Sequence, residues 1–316
     1  MTPAANSILL ITPARNEAAN LDQLIASVTA QTLRPTRWII VDDDSTDDTH
    51  ARATTAALTR PWLRVLRLQA TGNRGFGAKA RAFQAGRTAA AAEGIACAFI
   101  ANLDADITLP NDYFSRLAWE MHRDPQLGVA SGICWQQEGT LRHRVTVSLN
   151  HAVGAGQFFR RECFEMIGGY RPVTVGGVDS LAELTARMHG WKTRAFPDLA
   201  LTHHRAVDWA GGGSARRVCW RAGQTEYHLG THPLFALAKA LRRWRQRPVI
   251  GSMFIRLAGY GQLWLRGVRR DAPDELVTFV QREQWGRLGW RGRRNGAPTA
   301  VPSRDRGAPP LPNLSA

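Results

Sequence analysis

Cys97-Ala98-Phe99-Ile100-Ala101-Asn102-Leu103-Asp104-Ala105-Asp106 is an apolar run that ends on two carboxylates. Such a run describes a strand buried on both faces, meeting polar space only at its carboxyl end. Three earlier segments have the same form. Ser7-Ile8-Leu9-Leu10-Ile11-Thr12 runs into Pro13-Ala14-Arg15-Asn16-Glu17, and Trp38-Ile39-Ile40-Val41 into Asp42-Asp43-Asp44-Ser45-Thr46-Asp47. Val65-Leu66-Arg67-Leu68 precedes Gly72-Asn73-Arg74-Gly75-Phe76-Gly77. Helical patterns separate them. Asn20 is placed to cap the first helix with Gln23 as its capping-box partner, and Leu21, Leu24, Ile25 and Val28 share a face. A second helix reaches about Leu58, and Gly75 and Gly77 open an Ala-rich third. Strands alternating with helices predict an α/β fold with a mostly parallel sheet and helices on both faces. Ligands bind such sheets beyond the carboxyl ends of the strands, so all four polar clusters line one edge.

The chain has 316 residues, about twice an ordinary domain of ~150. With 44% hydrophobic and 8% aromatic residues, wholesale disorder is excluded. No apolar run reaches the ~18 residues of a membrane span, and the N-terminal residues lack the basic region of a signal peptide. Cys97, Cys134, Cys163 and Cys219 form no CxxC pair, which predicts buried thiols in a reducing cytosol. The net charge is +15, unevenly placed. Residues 1–204 hold 21 basic and 19 acidic groups, while residues 205–316 hold 20 and 7. A near-neutral body with a basic C-terminal third predicts two tasks on one chain.

Each polar cluster has its own chemistry. Asp104 and Asp106, two residues apart after a strand, can turn toward one hard divalent ion, which takes oxygen ligands and keeps water and substrate phosphate in its other positions. Asp42 or Asp43 can accept the N3–H of a uracil, leaving Ser45 and Asp47 to cap the next helix. Gly72, Gly75 and Gly77 let backbone approach a diphosphate at a helix N-terminus, with Arg81 nearby. No Walker lysine pattern or well-formed GxGxxG is present, against P-loop and dinucleotide-binding readings. Residues 131–157 show no interpretable pattern.

The ordered set Pro13…Arg15-Asn16-Glu17, Val41-Asp42-Asp43-Asp44-Ser45-Thr46-Asp47, Asn73…Gly75…Ala80-Arg81 and Asp104-Ala105-Asp106 resembles the family 2 glycosyltransferases of the GT-A fold. Phe158 to Phe164 and Ile167-Gly168-Gly169-Tyr170 are similar to the segment preceding the family's catalytic carboxylate. Gly176-Gly177-Val178-Asp179 stands where many members carry Glu-Asp, with Val178 in place of the glutamate. The resemblance spans roughly residues 7–205. It implies a nucleoside-diphosphate sugar donor, UDP-linked by preference, bound along Pro13, Arg15, Glu17, Asp42, Asp43, Gly75, Arg81 and Asp104. It further implies Mg²⁺ or Mn²⁺ on Asp106 with His203 or His204, and Asp179 as general base, Glu183 being the alternative one turn on. Inverting transfer is a single displacement, so the base stands opposite a leaving diphosphate whose growing charge is neutralised by metal and arginine.

From about Arg205 the composition turns to Arg- and Trp-rich helices. Leu234, Leu237, Leu241 and Trp244 form a stripe flanked by Lys239, Arg242, Arg243 and Arg245 and stopped at Pro248; Phe254, Leu257, Gly261, Trp264, Leu265 and Val268 form a second. The expected division is a catalytic domain over 1–205, a basic amphipathic helical extension over 206–290 and a disordered Arg/Pro/Gly-rich tail over 291–316. Packing on the catalytic domain explains part of both stripes, and docking on an anionic membrane explains the rest. This predicts a cytoplasmic enzyme at the inner face of the cell membrane, acting on a sugar or lipid-linked acceptor in cell-surface polysaccharide or glycolipid synthesis. Gln284-Trp285-Gly286-Arg287-Leu288 resembles the QxxRW motif of processive members only in part, ending in Leu, so a non-processive enzyme is expected. Two rivals stand. One is nucleic-acid binding through the basic third, although no nucleic-acid module is visible and no such partner is expected. The other is a nucleotidyltransferase on a similar sheet, which needs a Gly-rich basic signature that residues 13–17 do not supply.

Overall fold

A computed structural model describes residues 3–69, 77–138, 141–144, 148–204, 215–242 and 251–287. Its strands are β1 (Ile8–Ala14), β2 (Arg37–Asp43), β3 (Leu63–Leu68), β4 (Phe99–Asn102), β5 (Ile107–Thr108), β6 (Leu127–Glu138), β7 (Leu141–Arg144), β8 (Phe158–Arg160) and β9 (Lys192–His203). Its helices are α1 (Ala18–Thr29), α2 (Thr49–Leu58), α3 (Ala78–Ala92), α4 (Tyr113–Arg123), α5 (Arg161–Met166), α6 (Val178–Met188), α7 (Ala215–His228), α8 (Pro233–Arg242), α9 (Gly251–Leu265) and α10 (Asp274–Arg287).

Alternate residues of the central strands enter two separate cores. Ile8 and Leu10 of β1, Trp38 and Ile40 of β2, and Phe99 of β4 pack with Leu21, Leu24 and Val28 of α1 and with Phe114 and Met121 of α4. Leu9 and Ile11, Ile39 and Val41, and Ile100 pack on the other face with Phe83 of α3 and Leu181 of α6. Burial on both sides is why these strands are unbroken apolar runs.

The sheet order is β3-β2-β1-β4-β8-β6-β9-β5, with β7 added to β6. β1 lies parallel to both β2 and β4, so the winding reverses beside it and opens a crevice at the carboxyl ends. β8 and β5 run antiparallel to their neighbours, and β9 runs parallel to β6. The α/β architecture is thus as expected, with β3-β2-β1-β4 wholly parallel, while the sheet as a whole is mixed. Short β5 has a particular consequence, since its pairing sets Ile107 opposite His203 and brings the 104–106 segment against the end of β9.

Two local expectations fail: Ser45 does not cap α2, whose N-cap is Asp48, because its hydroxyl accepts the Asn16 N–H, and Asn20 does not cap α1. Asn20 lies inside α1, whose N-cap is Glu17, and its Nδ2 donates to Glu17 Oε2 at 3.0 Å. The Glu17 N–H is held by Thr49 Oγ1 at 2.7 Å, so a contact from α2 starts the helix earlier than local propensity does.

The C-terminal helices close on the sheet. Leu276, Val277 and Val280 of α10 belong to the same core as Phe83 and Leu181. Thr174, just before α6, donates N–H and Oγ1–H to Asp271 at 2.8 and 2.6 Å. Tyr227, Ala236 and Tyr260 form the small core joining α7, α8 and α9. The stripes face outward instead: Leu234, Leu237, Leu241, Phe254, Trp264 and Leu265 are exposed. Gln284 is buried and its Oε1 accepts the His232 N–H at 2.9 Å, a structural bond. Gly75, Trp244, Arg243, Arg245, Pro248 and the tail from 291 lie outside the described residues.

Candidate active site

The turns after β1 and β2 are built against each other. Asn16 (φ 53°) and Asp44 (φ 57°) take the left-handed conformation that Asn and Asp tolerate best. The Asn16 N–H donates to Ser45 Oγ at 3.0 Å, and Asn16 Oδ1 accepts the Thr46 N–H at 2.8 Å. The Ala18 N–H reaches Asp47 Oδ2 at 3.1 Å, while Asp47 Oδ1 accepts the Thr49 N–H at 3.0 Å. Within this knot the two candidate base-recognition aspartates separate. Asp42 is fully buried; its Oδ1 accepts the Ser45 N–H at 3.0 Å and its Oδ2 faces His50 and Arg67 at 3.4 and 3.5 Å. Asp43 is partly exposed at the strand end, 3.9 Å from the Arg15 guanidinium. Pro13 pairs with Val41 across β1 and β2, and Glu17 is buried at the start of α1. Arg81 lies in the first turn of α3, its guanidinium folded back toward Gly77.

Lys79 is paired with one carboxylate and lies in the field of two more. Its Nζ lies 2.5 Å from Asp104 Oδ1. Burial works against its charge, but the fields of Asp104, then Asp179 and Asp106, outweigh this and hold the ammonium above the ordinary lysine range. Asn102 Nδ2 donates to Asp104 Oδ1 at 3.2 Å and to Gly154 O at 2.9 Å, bridging the carboxylate to the 154–156 turn. Asp179 sits in the first turn of α6, after Gly177, whose φ of 89° only glycine adopts freely. Gln157 donates to Asp179 O at 3.4 Å and accepts the Tyr170 hydroxyl at 2.6 Å. Burial, then the Asp179 and Asp104 charges, push that phenol well above its ordinary range.

On the far side of the pair, Asp106 is nearly buried and its Oδ2 lies 3.0 Å from His203 Nε2. The bonds to Asp106 and Cys134, against burial, raise the His203 imidazole to about 10. His204 turns elsewhere, its Nε2 2.9 Å from Thr108 Oγ1 and its N–H on Asp106 O at 2.9 Å. The alternative base Glu183 is buried in an ion cluster with His151 at 2.5 Å and Arg187. Arg187 continues to Glu283 of α10 at 3.0 Å.

The donor set suits a hard divalent ion. Asp106 Oδ2 and His203 Nε2 are already as close as neighbouring ligands of one ion, and Asp104, two residues before Asp106, is held by Lys79 and Asn102. Among the described residues no three His, Cys, Asp or Glu groups converge, so substrate oxygens and water must complete the shell. Sequence reasoning missed Lys79, Asn102, Gly154 and Gln157. For Lys79 a signal existed: the chain has only three lysines among 41 basic residues, and one of them opens a helix on the ligand edge.

A family model described as glycosyl transferase family 2 matches residues 9–172, half of the chain. Among solved structures, the chain is similar to the mannosyltransferase PcManGT from Pyrobaculum calidifontis in complex with GDP-Man and Mn²⁺. That likeness has 20% identity and a TM-score of 0.52, over 93% of this chain and 77% of that one. It is also similar to GalNAc-T7 with UDP, GalNAc and Mn²⁺, at 14% identity and a TM-score of 0.53, over 83% of this chain and 56% of that one. No curated protein matches the sequence. At these identities the structural likenesses speak for a shared GT-A fold, and the family match carries the activity. The chain belongs to glycosyl transferase family 2 and is a glycosyltransferase.

Proposed function

We propose that this glycosyltransferase works by a single inverting displacement, with Asp179 as the base that takes the acceptor hydroxyl proton. One observation carries the reading: Asn102 donates both to Asp104 Oδ1 and to the carbonyl of Gly154, against which the Asp179 carboxylate packs, so α6 brings this carboxylate to the end of β4. One carboxylate apart from a pair is what an inverting displacement needs, because base and leaving group lie on opposite sides of the reacting carbon.

In this reading Asp43 recognises the nucleotide base, with Arg15 holding its carboxylate, while the buried Asp42 supports the turn. Asp106 and His203 hold Mg²⁺ or Mn²⁺, with Asp104 toward the ribose or a metal-bound water. When bound, such an ion neutralises negative charge on a departing diphosphate. Arg81 and the N-terminus of α3 face the same diphosphate and supply further positive potential. Gln157 fixes the backbone of Asp179, and Asn102 joins the Asp104 carboxylate to the Gly154 turn below it. The neighbours' complexes hold GDP-Man in one case and UDP in another, and a UDP-sugar is favoured here because a carboxylate at Asp43 suits a uracil N3–H. A thermal-shift screen of nucleoside diphosphates with and without Mn²⁺ tests this. Stabilisation by UDP, not GDP, that depends on Mn²⁺ is expected; metal-independent binding counts against the site.

Among the described residues no helix is long and apolar enough to cross a membrane. The exposed Leu, Phe and Trp side chains of α8 and α9, on a C-terminal third with 20 basic and 7 acidic residues, suit an anionic membrane surface and a lipid-linked acceptor in cell-envelope synthesis. Vesicle sedimentation tests it: salt-sensitive binding to anionic lipid, lost when Leu237, Leu241, Phe254 and Trp264 become Ser, is expected. Binding unchanged in that variant counts against it.

A further inference from the structure

As the chain folds, both members of the carboxylate pair already have a nitrogen partner: Lys79 Nζ on Asp104 at 2.5 Å and His203 Nε2 on Asp106 at 3.0 Å. The lysine is held there by architecture. It is the second residue of α3, behind a glycine against Pro172, and its side chain is about one-third exposed, open to the ligand edge. Lysine carries a compact point charge on a flexible stem, able to pass between neighbouring anions without moving the backbone.

We infer that Lys79 competes with the divalent ion for Asp104, so that metal is admitted together with the nucleoside diphosphate rather than before it. This rests on the metal-dependent reading of the same site. An ion entering alone would face the ammonium across a shared carboxylate, with Asp106 and His203 as its close protein groups among the described residues. An ion entering with a diphosphate brings compensating anions. Lys79 then passes from Asp104 to a phosphate oxygen, which an ammonium on a flexible stem beside a helix N-terminus can reach. Lys79 is thus a positioning residue that enforces the order of binding and afterwards contributes to holding the donor.

The test is Mn²⁺ binding followed by electron paramagnetic resonance, with and without saturating UDP or GDP, for the wild type, Lys79→Met and Lys79→Arg. In the wild type, the better nucleotide should tighten Mn²⁺ binding by about tenfold or more, an ordinary coupling between two ligands. Lys79→Met should bind Mn²⁺ without nucleotide about tenfold more tightly than the wild type, lose most of the coupling and bind nucleotide more weakly. Lys79→Arg should keep the coupling. Lys79→Gln, which retains a polar end, serves if the Met variant folds poorly. Wild-type nucleotide coupling with unchanged nucleotide-free Mn²⁺ affinity in Lys79→Met and Lys79→Gln overturns the inference and leaves the metal site standing. Absence of Mn²⁺ binding in every variant, with every nucleotide, overturns the metal site itself and the inference with it.

Discussion

The Asp179 carboxylate packs directly on the backbone of Gly154: a β-carbon at 154 would fall 2.0 Å from Oδ2 and 2.5 Å from Cγ. The same Gly154 carbonyl accepts from Asn102, which also holds Asp104. One glycine therefore sets the spacing between the proposed base and the donor carboxylate.

Gly154→Ala should push the Asp179 side chain out of place without touching the nucleotide edge. A shift of this size at a base predicts a kcat lower by about a hundredfold, with donor affinity nearly unchanged. Steady-state kinetics beside donor calorimetry check this. Parallel loss of affinity and kcat would mean that the turn serves folding more than the base.

Glu183 separates from Asp179 by its partners. Its side chain is 1% exposed and is bound to His151, Arg187 and Thr193. Glu183→Gln breaks a buried charge cluster and should destabilise the fold by about 3 kcal/mol, while the folded fraction keeps its turnover. Urea denaturation and kinetics at low temperature together check it. Loss of turnover without loss of stability would move the base to Glu183.

Asp42 and Asp43 should behave differently despite adjacency. Asp42→Ala strips a buried acceptor from the Ser45 N–H and should cost about 2 kcal/mol of stability. Asp43→Ala, at a partly exposed position, should leave the melting temperature nearly unchanged and weaken nucleotide binding. Thermal melts and nucleotide titration of both variants distinguish the two roles.

His151 gives the fold a pH dependence. Burial lowers its affinity for a proton, but the bond to Glu183 and then the Glu183 and Asp179 charges raise its pKa overall. A pKa raised in the folded state means stability that is full below the unfolded value of about 6.5 and lost as pH climbs through the folded value. The urea midpoint should therefore fall as pH rises above about 6.5, less so in His151→Gln. His203 has the same sign at higher pH, so the difference between wild type and variant isolates His151.

The strands carrying the ligand edge were legible because double-sided burial keeps β1, β2 and β4 almost wholly apolar before their carboxyl ends, and the two carboxylates after β4 stood out against that background. Residues 131–157 were opaque for a related reason. β6 and β9 pair with register irregularities near Gly132, and the following turn has no periodicity, yet it supplies His151, Gly154 and Gln157. Their roles come from contacts with α6, some 25 residues away, which local pattern does not encode. The outward stripes of α8 and α9 were visible as periodicity, but the direction they face depends on which side Tyr227 and Tyr260 pack. His203 and His204 are equivalent in sequence; the pairing of β5 with β9 sets His203 on Asp106 and His204 on Thr108.

The most direct measurement is single-turnover transfer by Asp179→Asn beside calorimetric donor binding. Asn keeps the size and the contact on Gly154 while removing the basic oxygen. Transfer slower by about a thousandfold, with donor affinity within about twofold of wild type, is expected. Transfer within about tenfold of wild type, with the donor bound normally, would contradict Asp179 as the base.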